Sequence, residues 1–276
     1  MCTDASVRVT SHTLSRRAAL VGGAAAAATV LIGGTAVASE GPPSRARLGH
    51  RLRDLTHPLS PNIPAFVPGE EAARRTTVTI ETDGYYIQEW RIIEHIGTHV
   101  DAPGHFTAGG RLATELDLSE LITPAVVIDI AGRAAQNPDT VVTVDDLVAY
   151  ERRNGRIPPD AAVLMYSGWA SKIGDANAYR NPDASGTLHF PGFGADATQW
   201  LLERRRIRSL GVDTLSIDPG NSTTFDTHLI LTGADRYGLE NLKSLDGIPP
   251  RGATVFVGLI PYDQGSGGQA RVFASW

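Results

Sequence analysis

His95-Ile96-Gly97-Thr98-His99-Val100-Asp101-Ala102-Pro103-Gly104-His105-Phe106 sets three imidazoles and a carboxylate within eleven positions, in a chain of 276 residues that holds only eight histidines. Neutral imidazole nitrogen and carboxylate oxygen are both ligands for divalent metal ions. A shared cation is the simplest occupant that holds such a group together. A single histidine here would more often be a hydrogen-bonded structural residue; the clustering is what points to metal and to a metalloenzyme.

The spacing constrains the backbone. A helix would put His95 and His99 on one face, but Gly97, the β-branched Ile96, Thr98 and Val100, and Pro103 all disfavour helix. An extended strand sends His95, Gly97, His99 and Asp101 to one side and the β-branched residues to the other. His99 and Asp101 then lie about 6.6 Å apart at Cα and can reach one ion, whereas His95 lies about 13 Å from His99 in a straight strand. A bend or bulge is therefore expected at Gly97. The Ala102-Pro103-Gly104 turn is expected to fold His105 back over the site.

Outward from this stretch the chain alternates strand and helix. Alternating or continuous apolar runs predict strands at 76–80, 85–93, 125–130, 162–166, 209–217, 254–260 and 271–274, with Asp83-Gly84 as a hairpin signal between the first two. Helical periodicity covers 143–154 and 195–206. The pattern is that of an α/β fold. Asp54-Leu55-Thr56-His57-Pro58-Leu59 followed by Pro61, Pro64 and Pro68 reads as a short strand and then a proline-stiffened loop, in which Phe66 can wall a binding site or fill core. The Gly/Pro-rich segment 177–194, with Tyr179, His189, Phe190 and Phe193, reads as a long loop of the lid or site-wall kind. His228 opens a short helical turn ending near Gly233. Asp218, ending an apolar strand ahead of Pro219-Gly220, stands either where α/β sheets place functional side chains or as a cap on the next segment. Glu240, taken alone, reads as a solvated acid.

The N-terminus reads as a targeting segment. Ser15-Arg16-Arg17 precedes an alanine-rich apolar stretch that ends in Ala36-Val37-Ala38, similar to a twin-arginine export signal at 1–38, with a flexible leader at 39–50 and one domain from 51 to 276. The apolar stretch approaches membrane-spanning length, but the small residues at its end favour cleavage over a lasting anchor. The expected mature protein is exported. Its loss of residues 1–38 leaves 22 basic and 29 acidic side chains, a net of −7, and removes the one cysteine, Cys2, so that neither a disulfide nor a thiolate ligand is available. With a net charge of −5 for the full chain and no basic run, nucleic acid is not an expected partner.

The 95–106 stretch resembles the H-x-G-T-H-x-D-x-P-x-H-F signature of the cyclase-like metal-dependent hydrolases, the group that includes bacterial kynurenine formamidase and isatin hydrolase. Asp54-Leu55-Thr56-His57-Pro58-Leu59 resembles that family's opening segment, residues 211–218 its central strand, and His228 with Glu240 its second ligand pair. The resemblance covers nearly all of 52–276. It implies a single α/β domain of mixed sheets with a barrel-like core, of the swivelling β/β/α kind, forming a dimer or larger homo-oligomer. It implies His95, His99 and Asp101 as ligands of a first metal, Asp101 being available to bridge, and His228 with Glu240 completing a second or shared site. One or two Zn²⁺ ions are expected, with Mn²⁺ the alternative. His105 would be the general acid/base. Phe66 stands where kynurenine formamidases typically carry a substrate-stacking tryptophan.

The function expected on these grounds is metal-assisted hydrolysis of a C–N bond in a small aromatic formamide. An isatin-type cyclic amide is the alternative substrate, and a cyclase or dehydratase of secondary metabolism a further one. A non-catalytic exported metal- or ligand-binding protein is the reading outside enzymology; against it stands His105, since a metal sink needs no imidazole beyond a filled shell.

Overall fold

A computed structural model describes residues 51–276; the expected signal segment and leader lie outside the described residues. The strands are β1 (Leu52–Asp54), β2 (Ala73–Val78), β3 (Ile87–Arg91), β4 (His99–Asp101), β5 (Ile122–Asp129), β6 (Val141–Val142), β7 (Ala162–Tyr166), β8 (Gly192–Phe193), β9 (Ser209–Val212), β10 (Tyr237–Glu240), β11 (Arg251–Leu259) and β12 (Gly267–Ser275). The longer helices are α1 (Val144–Asn154), α2 (Ala195–Arg205) and α3 (Asp226–Gly233).

Seven strands form a closed ring in the order β12, β11, β5, β7, β9, β10, β4 and back to β12. Closure depends on one edge of β12 being shared end to end: residues 267–269 pair with β4 and residues 273–275 with β1. The run β5, β7, β9, β10 is parallel, and β4 is antiparallel to both its neighbours. Parallel strands are buried on both faces, which explains their unbroken apolar runs. Leu164, Val100, Leu239, Val255 and Val272 fill the ring interior, while Val163, Met165, Leu210 and Val212 face outward against Leu147 of α1, Leu201 of α2 and Leu231 of α3. The alternation of elements predicted an α/β fold, and the mixed sheet with a barrel-like core is the one the family resemblance implied.

Local chemistry sets the helix ends where the sequence placed them. Thr143 caps α1 through its side chain, which accepts from Asp146 N, and Arg206 closes α2 in the left-handed conformation. The strand expected at 209–217 stops at Val212. Beyond it the Asp213 carboxylate accepts from Ser167 and Trp169, and this local bonding draws the chain out of the sheet. The strand expected over 85–93 is shorter, because residues 92–94 leave the β2–β3 pair to line a cavity. The lid reading of 177–194 is corrected: Tyr179, Phe190 and Phe193 are fully buried, and Tyr179 Oη donates to Asp213 O and Asn241 Oδ1. The segment is packed support behind the site.

Candidate metal centre

Val100 points into the ring, so period-two alternation turns His99 and Asp101 outward together. The register between β4 and β10 sets Glu240 opposite His99 and Gly238 opposite Asp101. Leu239 fills the interior and Glu240 emerges beside the two β4 side chains. His95 is not on the strand, contrary to the extended reading. The chain turns at Gly97, whose φ of +69° is glycine territory, and brings His95 back beside Asp101. Gly267 leaves space for that return; a Cβ there would collide with the His95 ring and Val100 O. The 3₁₀ turn Pro103–His105 then stacks the His105 ring on His95, with centroids 3.8 Å apart and planes at 18°.

The donor atoms converge on the Asp101 carboxylate. Oδ1 lies 2.6 Å from His95 Nδ1 and 3.2 Å from His99 Nε2, and Oδ2 lies 3.6 Å from His228 Nε2. Glu240 completes the group, 3.5 Å from His99 Nε2 and 3.3 Å from His228 Nε2. Ligand atoms of His95, Asp101 and His105 fall within 4.8 Å of one another, as do those of His99, Asp101 and Glu240. All five expected ligand residues and His105 are therefore brought together. Glu240 is only 5% exposed, which overturns its reading as a solvated acid.

Each imidazole is aimed by its other nitrogen. His99 Nδ1 donates to Gly97 O (2.8 Å), and His228 Nδ1 donates to Asp218 Oδ2 (2.6 Å), so both Nε2 atoms face the carboxylates. Asp218 also accepts from Thr227 N and His228 N at the start of α3. It is both the cap and the orienting group, which joins the two sequence readings. For His95 the roles of the nitrogens reverse: Nδ1 faces Asp101, and Nε2 lies 2.9 Å from Ser266 Oγ, whose proton goes to Glu94. Ser266 and Glu94 were not found from sequence. Nothing in the glycine-flanked 265–268 segment marks that serine before the ring closes.

Two acids, Asp101 and Glu240, are buried together here, and buried carboxylates need positive charge beside them. Burial opposes a charge on His99, but Asp101 and Glu240 raise its pKa to about 9; His228 is likewise raised by Asp101, Asp218 and Glu240 against its burial. Burial works to raise Asp101, yet the imidazoles of His99, His228 and His95 hold it well below the usual carboxylate range. Glu240 is raised by burial and by the Asp101 charge. Two atoms at the centre, His99 Nε2 and Asp101 Oδ2, are buried without a hydrogen-bond partner. Unpartnered ligand atoms buried among two carboxylates and two aimed imidazoles suit a divalent metal. His105 is different: burial lowers its pKa to about 4 and the neighbouring imidazoles reinforce this against the pull of Asp101, so its ring is neutral near pH 7.

A cavity of about 620 Å³ opens onto this cluster. Phe66 lies in its wall as expected, packed edge-on to Phe190 and tilted to Phe225. Phe225, held at φ +53°, Phe106, Ile92 and Leu215 extend the apolar wall, and Asn241 and Ser216 supply polar atoms. His189 lies off this cavity, with Nδ1 2.8 Å from Asp139 Oδ1.

Comparison with known proteins agrees with this geometry. The family model described as "Putative cyclase" matches residues 53–219. Isatin hydrolase of Roseibium aggregatum is 32% identical over 238 residues, covering 80% of this chain and 90% of that protein. Kynurenine formamidase of Bordetella avium is 29% identical over 205 residues, covering 72% and 86%. The structure of isatin hydrolase A from Ralstonia solanacearum superposes with a TM-score of 0.77 at 35% identity, covering 81% of this chain and 91% of that one. With the family model spanning more than half of the chain, and the fold shared with solved relatives, this chain belongs to the cyclase family of hydrolases.

Proposed function

We propose that this protein is a metal-dependent amidohydrolase that opens the C–N bond of a small cyclic aromatic amide of the isatin type. The observation that carries the reading is the meeting of unpartnered His99 Nε2 and Asp101 Oδ2 with His95, His228 and Glu240 at the floor of an aromatic-walled cavity. The cyclic amide is preferred because the isatin hydrolases match at higher identity and over more of the chain than the formamidases. An arylformamide remains the second reading, supported by the formamidase relatives and by the same aromatic wall.

His95, His99, Asp101, His228 and Glu240 would hold one or two divalent ions, Zn²⁺ or Mn²⁺. When bound, such an ion supplies Lewis-acid polarisation of a carbonyl and lowers the pKa of water. The chain's own residues do the rest. Asp218 and Ser266 fix the orientation of His228 and His95. Phe66, Phe106 and Phe225 offer an apolar aromatic wall that orients an aromatic ring and excludes bulk water. His105, neutral at ordinary pH, takes a proton from the attacking water at its free ring nitrogen and returns it to the amide nitrogen as the C–N bond breaks. Opening a cyclic amide leaves one product that carries both the new carboxylate and the new amine, whereas an N-formyl aromatic amine would give formate and a separate arylamine.

The test is His105→Ala, assayed with isatin and with N-formyl aromatic amines after elemental analysis. The variant is expected to keep its metal and lose turnover about 10²–10⁴-fold. Unchanged turnover removes His105 from the mechanism, and faster hydrolysis of the formyl amines than of isatin reverses the order of the two substrates.

A further inference from the structure

The segment between β3 and β4 delivers His95 to the metal centre without regular structure to hold it in place. Residues 92–97 belong to no helix or strand, and among the described residues their backbone makes no hydrogen bond to other backbone. Ile96 is nevertheless buried, where an unmet carbonyl is costly. A ligand carried on such a segment needs its position fixed from elsewhere.

One side chain meets that need. Gln269 of β12 stands opposite His99 in the β12–β4 register. Ala270 packs in the ring interior, so alternation turns Gln269 outward, where it is buried against the 93–96 turn. Its Nε2 donates to Ile93 O (2.7 Å), Glu94 O (3.0 Å) and Ile96 O (3.2 Å), carbonyls on both sides of His95. An amide has two such hydrogens, so one of them is shared between acceptors. The far end of the amide is fixed as well, because Tyr262 Oη donates to Gln269 Oε1 (3.0 Å). With Oε1 occupied, the NH₂ group is committed to the turn.

We propose that Gln269 is a positioning residue for His95, holding the backbone from which the ring projects so that Nδ1 stays on Asp101. Ser266 aims the ring through Nε2, and Gln269 aims the segment that bears it. Gln269 itself does not line the cavity. Loss of its amide leaves three buried or half-buried carbonyls without a donor, and the segment must shift to find others. The inference rests on the reading of His95 as a metal ligand, given above.

The test is metal affinity, measured with Zn²⁺ by chelator competition, together with the visible spectrum of the Co²⁺-loaded protein and a denaturant melt to confirm folding. Gln269→Leu keeps the bulk and removes the amide; it is expected to weaken Zn²⁺ binding about 10–100-fold and to alter the Co²⁺ spectrum. Tyr262→Phe frees only the far end of the amide and is expected to act in the same direction to a smaller degree, which keeps the inference testable if the first variant does not fold. In a His95→Ala background, Gln269→Leu is expected to cost no further affinity, because the ligand it positions is gone. Asp213→Asn, which disturbs the bonds to Ser167 and Trp169 away from the centre, reads the effect of lost stability alone and is expected to move neither affinity nor spectrum. Wild-type affinity and spectrum in the Gln269 and Tyr262 variants, a full second loss in the His95→Ala background, or a matching loss in Asp213→Asn would each overturn the inference and leave the metal centre standing. Unchanged affinity in His95→Ala alone would remove His95 from the ligands, and the inference with it.

Discussion

Asp101 and Asp213 are equally hidden, each 1% exposed, yet their surroundings shift their pKa values in opposite directions. Asp101 is ringed by His95, His99 and His228, and burial is outweighed: its carboxyl stays ionised far below the usual range. Asp213 meets only neutral donors, Ser167 N and Oγ and Trp169 N, and burial wins, pushing its pKa up to about 6. Burial alone does not make a site. What separates the two regions is whether positive charge, or a place for it, has been arranged around the acid. They are also neighbours in one framework, since Tyr179 Oη donates both to Asp213 O and to the side chain of Asn241, the residue after Glu240.

Substitution at the two aspartates should separate a ligand from a latch. Asp101→Asn removes the hub of the cluster and the carboxylate it shares among His95, His99 and His228, with Glu240 and Asp218 left as the remaining acids. Metal content should collapse and turnover fall at least about a hundredfold. Asp213→Asn keeps the metal and most of the turnover, and lowers stability by about 1–3 kcal/mol because an amide NH₂ is forced against donors that had a carboxylate. Elemental analysis beside a chemical melt reads both. Metal loss in the Asp213 variant equal to that in the Asp101 variant would dissolve the distinction.

A smaller effect is expected one layer out. Asp218 touches no other ligand but fixes which nitrogen His228 presents. Asp218→Asn should weaken metal binding about 10–100-fold while the fold persists. Competition against a chelator of known strength measures it, and unaltered affinity would reduce Asp218 to a cap on α3.

The sequence made the local part of this site legible and left the long-range part dark. His99 and Asp101 share a side because strand alternation requires it, and the turn at Gly97 followed from the length His95 had to recover. Glu240 carried no local mark: it meets His99 only through the β4–β10 register, and only family resemblance identified it. Ser266 was invisible for the same reason, since it reaches His95 only once β12 closes the ring. The 177–194 segment misled because glycine and proline signal irregular backbone without saying whether it is buried. Here Tyr179, Phe190 and Phe193 carry it inward. Asp213 had read as an ordinary member of a strand, and its neutral hydrogen-bond shell is assembled from a loop after a different strand.

The smallest expected effect is the most specific to Asp213, because it depends on the sign of its shift. The folded state holds the Asp213 proton up to about pH 6, whereas the unfolded chain releases it near the ordinary value of 3.8. Between those values the native protein binds more protons than the unfolded one, so the contribution of this residue to stability falls as pH rises. It is complete below about pH 4 and lost by pH 6 to 7, a change of up to about 3 kcal/mol. The rest of the molecule titrates as well, the metal cluster included, so the quantity to measure is the stability of the wild type minus that of Asp213→Asn. Denaturant melts at pH 4, 5, 6 and 7 supply it, and the other groups cancel because both proteins carry them. The difference should favour the wild type most at pH 4 and shrink steadily toward pH 7. A difference that grows with pH would mean that Asp213 is ionised throughout like Asp101, and that cationic surroundings are not what sets the two acids apart.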